Sequence, residues 1–217
     1  MAELRIVENA RTAVLEAAKG LAEKRLVEGT SGNVSARMDA TRICITPSSV
    51  DYLQMEDGDL VVIDLDGQPV EGNRPPSSEK SLHLACYQAF PEIGSVIHSH
   101  AVHATMFAAA RKPIPACVDE LVVYVGGEVE VAEYAQSGSV EVGAAAVRAL
   151  ASRAAALLAN HGMVAIGKDP AEALKITALV ERSAEIALGA VALGGPSALP
   201  ERVVTDFGSV YTMLRLS

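Results

Sequence analysis

The 217-residue chain predicts an α/β protein, with helices on both faces of a mixed, largely antiparallel sheet. Stretches with apolar residues at helical spacing alternate along the chain with short apolar runs of strand length. Several of those runs are separated only by short turns, which suits antiparallel neighbours better than parallel ones joined by long crossovers. Half of the residues are apolar, aromatics make up 4% and tryptophan is absent, so the core is expected to be aliphatic and rich in alanine.

Residues 6–27 read as the first helix, with Val7, Ala10, Val14, Ala17, Ala18 and Leu21 at helical spacing and Gly29 as its stop. Strands are expected at 34–38, 43–46 and 60–65, the last closed by an Asp66-Gly67 turn. A loop over 72–77, with proline and serine, leads into a helix over 78–90. The apolar run from Ile93 to Ile97 is the next strand, followed by a helix over 102–110 and a strand over 121–125. A helix over 139–151 precedes two strands flanking His161. Asp169 as N-cap, Pro170 in the first turn and Glu172 in a box-like position announce a long helix. Gly194-Gly195-Pro196 breaks it and leaves a short C-terminal element. No repeat, low-complexity tract or linker divides the sequence, so residues 1–217 are expected to form a single domain.

The formal charge of −9 argues against a nucleic-acid binder or a protein held on anionic membranes. An anionic small molecule is still acceptable, because a few N–H groups and hydroxyls can hold one phosphate. Cys44, Cys86 and Cys117 form neither a C-x-x-C motif nor a disulfide framework, which suits a reducing compartment. The N-terminal residues carry early acids and no uninterrupted apolar stretch, unlike a secretory signal. The alanine-rich region 143–158 is interrupted by Arg148 and Arg153. A cytoplasmic protein without a membrane span is expected.

The strongest chemical signal is His98-Ser99-His100 at the end of the Ile93 strand. Residues two apart on a strand share a face, so the two imidazoles can chelate one metal. His161, in Asn160-His161-Gly162, follows another apolar run and is a third candidate. Three neutral imidazoles with an open fourth position make a catalytic zinc site. His103 competes by spacing, although it is expected on the next helix. His83 lies four residues after Glu79 on one helical face, where packing or support of the site is its expected role. Pro75-Pro76-Ser77-Ser78-Glu79 enters a helix and can act as an anion cradle or as a plain N-cap. Gly29-Thr30-Ser31-Gly32-Asn33 and Thr46-Pro47-Ser48-Ser49 are further donor-rich turns. None of them matches a Walker or Rossmann fingerprint.

Taken together and in order, G-T-S-G-N-V-S, I-T-P-S-S, P-P-S-S-E, V-I-H-S-H-A-V-H-A-T and N-H-G-M-V-A-I-G resemble the class II aldolase/adducin family, and within it the L-fuculose-1-phosphate aldolases. The resemblance implies a three-layer α/β/α fold around a mostly antiparallel sheet, assembled as a cyclic homotetramer with active sites between subunits. It implies zinc on His98, His100 and His161, with manganese, cobalt or iron also acceptable to three imidazoles. Glu79 would be the acid/base, with a pKa brought towards neutrality by burial. Thr30, Asn33, Ser48, Ser49, Ser77 and Ser78 would hold a substrate phosphate. Tyr211 would act on the aldehyde-derived oxygen of an adjacent subunit. Two positions depart from the pattern. Ser49 stands where the family's phosphate loop has glycine; it strains or reshapes that loop if the glycine serves a positive φ, and changes little if only its N–H is used. Asp119 stands where the fuculose-phosphate aldolases have a tyrosine on the aldehyde side. An aspartate in that neighbourhood resembles the related ribulose-5-phosphate 4-epimerases, which however carry S-S-D where this chain has S-S-E. The implied reaction is reversible retro-aldol cleavage of a phosphorylated ketose to dihydroxyacetone phosphate and a small aldehyde. The alternatives are a 4-epimerase, a dehydratase or a decarboxylase on the same site, or an adducin-like scaffold, which would lack the ligands.

Overall fold

The protein is described here by a computed structural model of residues 4–216, so residues 1–3 and 217 of the expected single domain lie outside the description. The strands are β1 Asn33–Arg37, β2 Arg42–Ile45, β3 Val61–Asp64, β4 Pro69–Glu71, β5 Ser95–Ser99, β6 Val131–Ala132, β7 Ala155–Leu158 and β8 Gly162–Gly167. The helices are α1 Ala10–Glu23, α2 Lys80–Ala89, α3 Val102–Ala110, α4 Asp119–Val125, α5 Val140–Leu150, α6 Pro170–Val191 and α7 Glu201–Leu216. One sheet holds the strands in the order β4-β3-β2-β1-β5-β8-β7-β6. All pairings are antiparallel except that of β6 with β7. Helices α2 and α5 cover one face; α1, α3, α4 and α6 cover the other, with α7 packed on α4. This is the expected three-layer α/β/α arrangement.

The central strands feed both cores, which explains their unbroken apolar runs. In β5, Val96 packs with the α2/α5 core and Ile97 with the opposite one; in β8, Val164 and Ile166 alternate in the same way with Met163 and Ala165. Each fully buried side chain of this size contributes about 1.5–3 kcal/mol. The edge strands are short, and Pro69 sits in the outermost one, where a missing N–H does no harm. Neither β4 nor β6 was expected from the sequence.

Three further expectations are corrected. The first helix spans Ala10–Glu23 rather than residues 6–27. Arg25 takes a left-handed φ of 56°, and the Arg25 and Leu26 N–H groups donate to Ala22 (3.0 Å) and Leu21 (2.9 Å), a Schellman closure sealed by buried Leu26. Residues 121–125, read as a strand, belong to α4. Asp119 and Glu120 suit its positive N-terminal end, Gly126 caps it at φ 99°, and Leu121, Val122 and Val125 are buried together on one side. Here tertiary packing overrides β-propensity. The short C-terminal element is the 16-residue helix α7. The start of α6 is as expected, with Asp169 accepting the Glu172 N–H at 2.8 Å and Pro170 in the first turn.

Candidate metal centre and its surroundings

Strand alternation turns His98 and His100 to the same side, and their Nε2 atoms lie 2.9 Å apart. The β7–β8 hairpin supplies His161. Its turn closes with the His161 N–H donating to Leu158 at 3.0 Å, and Asn160 takes a left-handed φ of 59°, which asparagine tolerates. The three ring centroids are 4.6, 4.8 and 4.9 Å apart, and one nitrogen from each ring lies within 4.8 Å of the others. Gly162 permits this approach. A Cβ there would strike the Ser99 carbonyl and stand 3.1 and 3.3 Å from the rings of His100 and His98.

His98 Nδ1 donates to the Met163 carbonyl at 2.9 Å, which leaves Nε2 as a bare lone pair aimed inwards. Burial lowers the His98 pKa to about 4 and depresses that of His100, so both are held neutral, the form that binds a metal. The His98 lone pair meets a second imidazole nitrogen at 2.9 Å and a Glu79 oxygen at 3.2 Å. A divalent cation would satisfy this convergence of three imidazole nitrogens with a carboxylate beside them. The residues therefore fit a metal ion. Nδ1 of His161 is buried with no hydrogen-bond partner among the described residues. His103 is occupied elsewhere. Glu181 on α6 accepts the N–H groups of His103 (3.0 Å) and Ala104 (2.9 Å) and contacts His103 Nδ1 at 2.8 Å, so it caps α3.

Glu79 stands at the N-cap of α2 and faces the histidines, with Oε2 3.2 Å from His98 Nε2 and Oε1 3.4 Å from His161 Nε2. Oε2 accepts from Asn33 Nδ2 at 2.9 Å and Oε1 from Ser137 Oγ at 2.7 Å. Burial by itself would raise this carboxyl's pKa, as expected. The positive charge that His98 gains in acid, the Ser137 and Asn33 donors and, again once protonated, His161 outweigh burial, so the carboxyl is lowered to about 2 rather than brought towards neutrality.

The two serine loops lie side by side, bridged at Pro47 and Pro76. The Ser48 N–H donates to Pro75 at 3.1 Å and the Ser77 N–H to Thr46 at 3.1 Å. Thr46 Oγ1 accepts the Val34 N–H at 3.1 Å and so ties both loops to β1. Ser48 Oγ donates to the Pro76 carbonyl at 3.0 Å, and Ser77 Oγ accepts the Glu79 N–H at 3.2 Å. Ser49 and Ser78 are exposed. Ser49 has φ 60°, in the left-handed region that glycine enters freely and that costs another residue roughly 1–2 kcal/mol. Gly32, at φ 76°, lies against β5; a Cβ there would meet the His98 carbonyl at 2.7 Å. Thr30 is exposed on the same turn. Asn33, expected in the phosphate cradle, is instead buried with both ends of its amide engaged by Glu79 and His83.

Two expected residues are not brought to the histidines by the chain's own fold. Asp119 is exposed in the first turn of α4, and no hydrogen bond or ion pair among the described residues joins it to Glu79 or the histidines. Tyr211 is buried beside Gly126, and its hydroxyl accepts from Arg215 at 2.7 Å. It lines a cavity of about 260 Å³ with Glu92, Ile93, Gly167 and Lys168, at the end of β5 and β8 away from His98. Sequence reasoning missed Ser137. It lies in a loop before α5 that turns at Gly138, φ 78°, and only Ser137-Gly-Ser139 hinted at a polar turn.

The chain matches the family model of the class II aldolase and adducin N-terminal domain over residues 12–188. It is 31% identical over 197 residues to a 5-deoxy-D-ribulose 1-phosphate aldolase of Bacillus thuringiensis serovar kurstaki, covering 90% of this chain and 92% of that one. It is 34% identical over 201 residues to a 5-methylthioribulose-1-phosphate/5-deoxyribulose-1-phosphate aldolase of Rhodospirillum rubrum, covering 91% and 90%. A solved L-fuculose 1-phosphate aldolase has the same fold, with a TM-score of 0.89 at 35% identity over 96% of this chain and 98% of that one. With the matched span, the shared fold and these relatives, the chain belongs to the class II aldolase and adducin family, among its aldolase lyases.

Proposed function

We propose that this protein is a metal-dependent aldolase that reversibly cleaves a ketose 1-phosphate into dihydroxyacetone phosphate and a small aldehyde. The observation that carries the reading is the convergence of three imidazoles and the Glu79 carboxylate beside two hydroxyl-bearing loops. A non-catalytic scaffold on this fold has no need of that arrangement. His98, His100 and His161 would hold the divalent ion; zinc suits them, and manganese, cobalt or iron are acceptable too. The bound ion supplies a Lewis acid that draws off negative charge developing on the ketone oxygen.

The remaining work falls to the chain. Cleavage breaks the bond between the carbon beside the ketone and the carbinol carbon. The carbinol hydroxyl gives its proton to a base as that carbon becomes the aldehyde, a role this reading leaves to Tyr211 from an adjacent subunit, and the electron pair of the broken bond passes towards the ketone. A proton must then reach the carbon left behind, and the Glu79 carboxyl is placed to deliver it and to take it back in the reverse direction. Asn33 and Ser137 hold the two carboxyl oxygens while this happens. The exposed hydroxyls of Thr30, Ser49 and Ser78, beside the start of α2, suit a phosphate and orient the substrate. A homotetramer with shared sites and a cytoplasmic setting complete the reading. Three free cysteines support that setting, and among the described residues no helix is long and apolar enough to cross a membrane.

Metal-loaded protein should exchange one hydroxymethyl proton of dihydroxyacetone phosphate for deuterium and release free aldehyde from a ketose 1-phosphate. A panel of aldehydes offered in the condensation direction identifies the partner. Alanine at His98, His100 or His161 should release the metal, whereas His103→Ala should retain it. Stereoinversion without release of aldehyde would assign a 4-epimerase instead. Absence of both exchange and cleavage would refute the aldolase.

A further inference from the structure

Two ladders of polar side chains meet behind Glu79. Along α2 and its cap, Glu79, His83 and Tyr87 recur every fourth residue, sharing one side of the helix at about 6 Å per step. Along β1, Asn33, Ser35 and Arg37 recur every second residue on the strand face towards α2, at about 6.6 Å per step. The two steps nearly match, so the rungs pair. Asn33 Nδ2 donates to Glu79 Oε2 at 2.9 Å, and Asn33 Oδ1 meets His83 Nε2. Ser35 Oγ lies 2.7 Å from His83 Nδ1 and 2.9 Å from the Tyr87 hydroxyl. Arg37 closes the series, donating to the Tyr87 carbonyl at 3.0 Å with its guanidinium 4.7 Å from the ring centroid. All six side chains are buried.

Each bond has one permitted direction. A carboxylate only accepts, so the Asn33 amide turns its N–H groups to Glu79 and its oxygen to His83. That oxygen also only accepts, so His83 carries its proton on Nε2. Burial, with the nearby His98, lowers the His83 pKa to about 3 and keeps the ring neutral, leaving Nδ1 as a bare acceptor for the Ser35 hydroxyl. Ser35 in turn accepts from Tyr87. Rotating the Asn33 amide by half a turn would set its oxygen against the carboxylate and its N–H against the His83 N–H, so both neighbours oppose the flip.

We propose that His83 is a positioning residue for Glu79, holding the carboxylate through the Asn33 amide in the orientation from which it transfers its proton. The catalytic part of this inference rests on the aldolase reading above. The other carboxylate oxygen is held by Ser137 from a loop, whereas Asn33 is anchored on a central strand and braced from behind.

The test uses three variants of the full chain. His83→Phe keeps an aromatic ring and removes both hydrogen bonds. His83→Gln restores an amide N–H near the position of Nε2. Ser35→Ala withdraws only the brace on Nδ1. The first readout does not require activity: nitrogen-15 spectra should show His83 as the Nε2–H tautomer, and the Asn33 side-chain amide resonance should move towards free-amide values in His83→Phe. The second is deuterium uptake by dihydroxyacetone phosphate. In His83→Phe kcat should fall roughly 10- to 100-fold, the scale expected when a reacting group is displaced. The KM for dihydroxyacetone phosphate should stay within about threefold, because an interaction made only in the transition state is lost. Metal content should be unchanged, and His83→Gln should recover most of the loss. Should His83→Phe fail to fold, Ser35→Ala carries the test, with kcat reduced by about three- to tenfold at unchanged KM. An Nδ1–H tautomer in the wild-type protein, wild-type kcat in the folded variants, or a rise in KM alone would overturn the inference. If the wild-type protein neither exchanges nor cleaves, the aldolase reading falls, while the tautomer and the Asn33 resonance still decide whether His83 orients the carboxylate.

Discussion

Replacing Glu79 with glutamine separates basicity from shape. Glutamine is nearly isosteric with glutamate, and its amide oxygen can take the Asn33 hydrogen bond now made at 2.9 Å. Its NH2 group can donate to Ser137 once that hydroxyl, now donating at 2.7 Å, rotates to accept. Both contacts therefore survive, and only their charge assistance is lost, on the order of 1–2 kcal/mol for each bond. Relief from burying a charge offsets part of that loss. The thermal midpoint should move by only a few degrees. Catalysis is affected differently, because an amide cannot shuttle the proton. Removing a general acid/base costs about 10²- to 10⁴-fold, equivalent to roughly 3–5 kcal/mol of transition-state stabilisation. The assay is loss of the hydroxymethyl proton signal of dihydroxyacetone phosphate in deuterium oxide, with metal content and melting curve measured on the same samples. Exchange within about threefold of wild type in a fully metallated, folded Glu79→Gln protein would refute the assignment of Glu79 as the proton carrier.

Gly162→Ala should loosen the metal centre, because the new Cβ meets the Ser99 carbonyl and crowds the rings of His98 and His100; a metal titration should show weaker binding, and unchanged affinity would contradict the packing described. Tyr211→Phe removes the hydrogen bond from Arg215 at 2.7 Å, which should cost about 1 kcal/mol and lower the thermal midpoint by about 2–4 °C. Unchanged turnover in that variant would make Tyr211 a packing residue, whereas a sharp fall in turnover would show its hydroxyl acting at a neighbour's site. Stability should also depend on pH through His83. Its folded pKa, about 3, lies below its unfolded value of 6.5, so the unfolded chain takes up the proton first. The stabilisation is complete above pH 6.5 and falls by up to about 1.4 kcal/mol per pH unit below it, until the folded value is approached. His98 and His100 add to the same decline, so denaturant titrations of metal-free wild-type and His83→Phe proteins at pH 7, 6 and 5 should show a steeper fall in the wild type; equal slopes would count against a neutral buried His83.

Much of the site could be read from the sequence because its key spacings are local. His98 and His100 share a face through the two-residue period of a strand. Glu79 follows two serines into a helix, and Asp169-Pro170 marks the start of α6 by capping chemistry confined to four residues. Ser49 could be recognised as a departure, yet only the backbone shows that it takes a left-handed φ of 60°. Position 121–125 was misread because Leu-Val-Val-Tyr-Val favours a strand taken alone, whereas its packing beside α6 and α7 suits a helix.

What the sequence determined by itself was the α/β class, the histidine pairing on one strand, the long capped helix and the order of the motifs. Tertiary structure alone decided that Asn33 faces Glu79 and His83 instead of an open cradle, that Ser137 reaches the carboxylate from 58 residues away, and that Tyr211 packs at the far end of β5 and β8. The physical reason is range. Turn chemistry and periodicity act over a few residues, whereas the partner of a buried polar group is whichever donor or acceptor the packed layers bring within 3 Å of it.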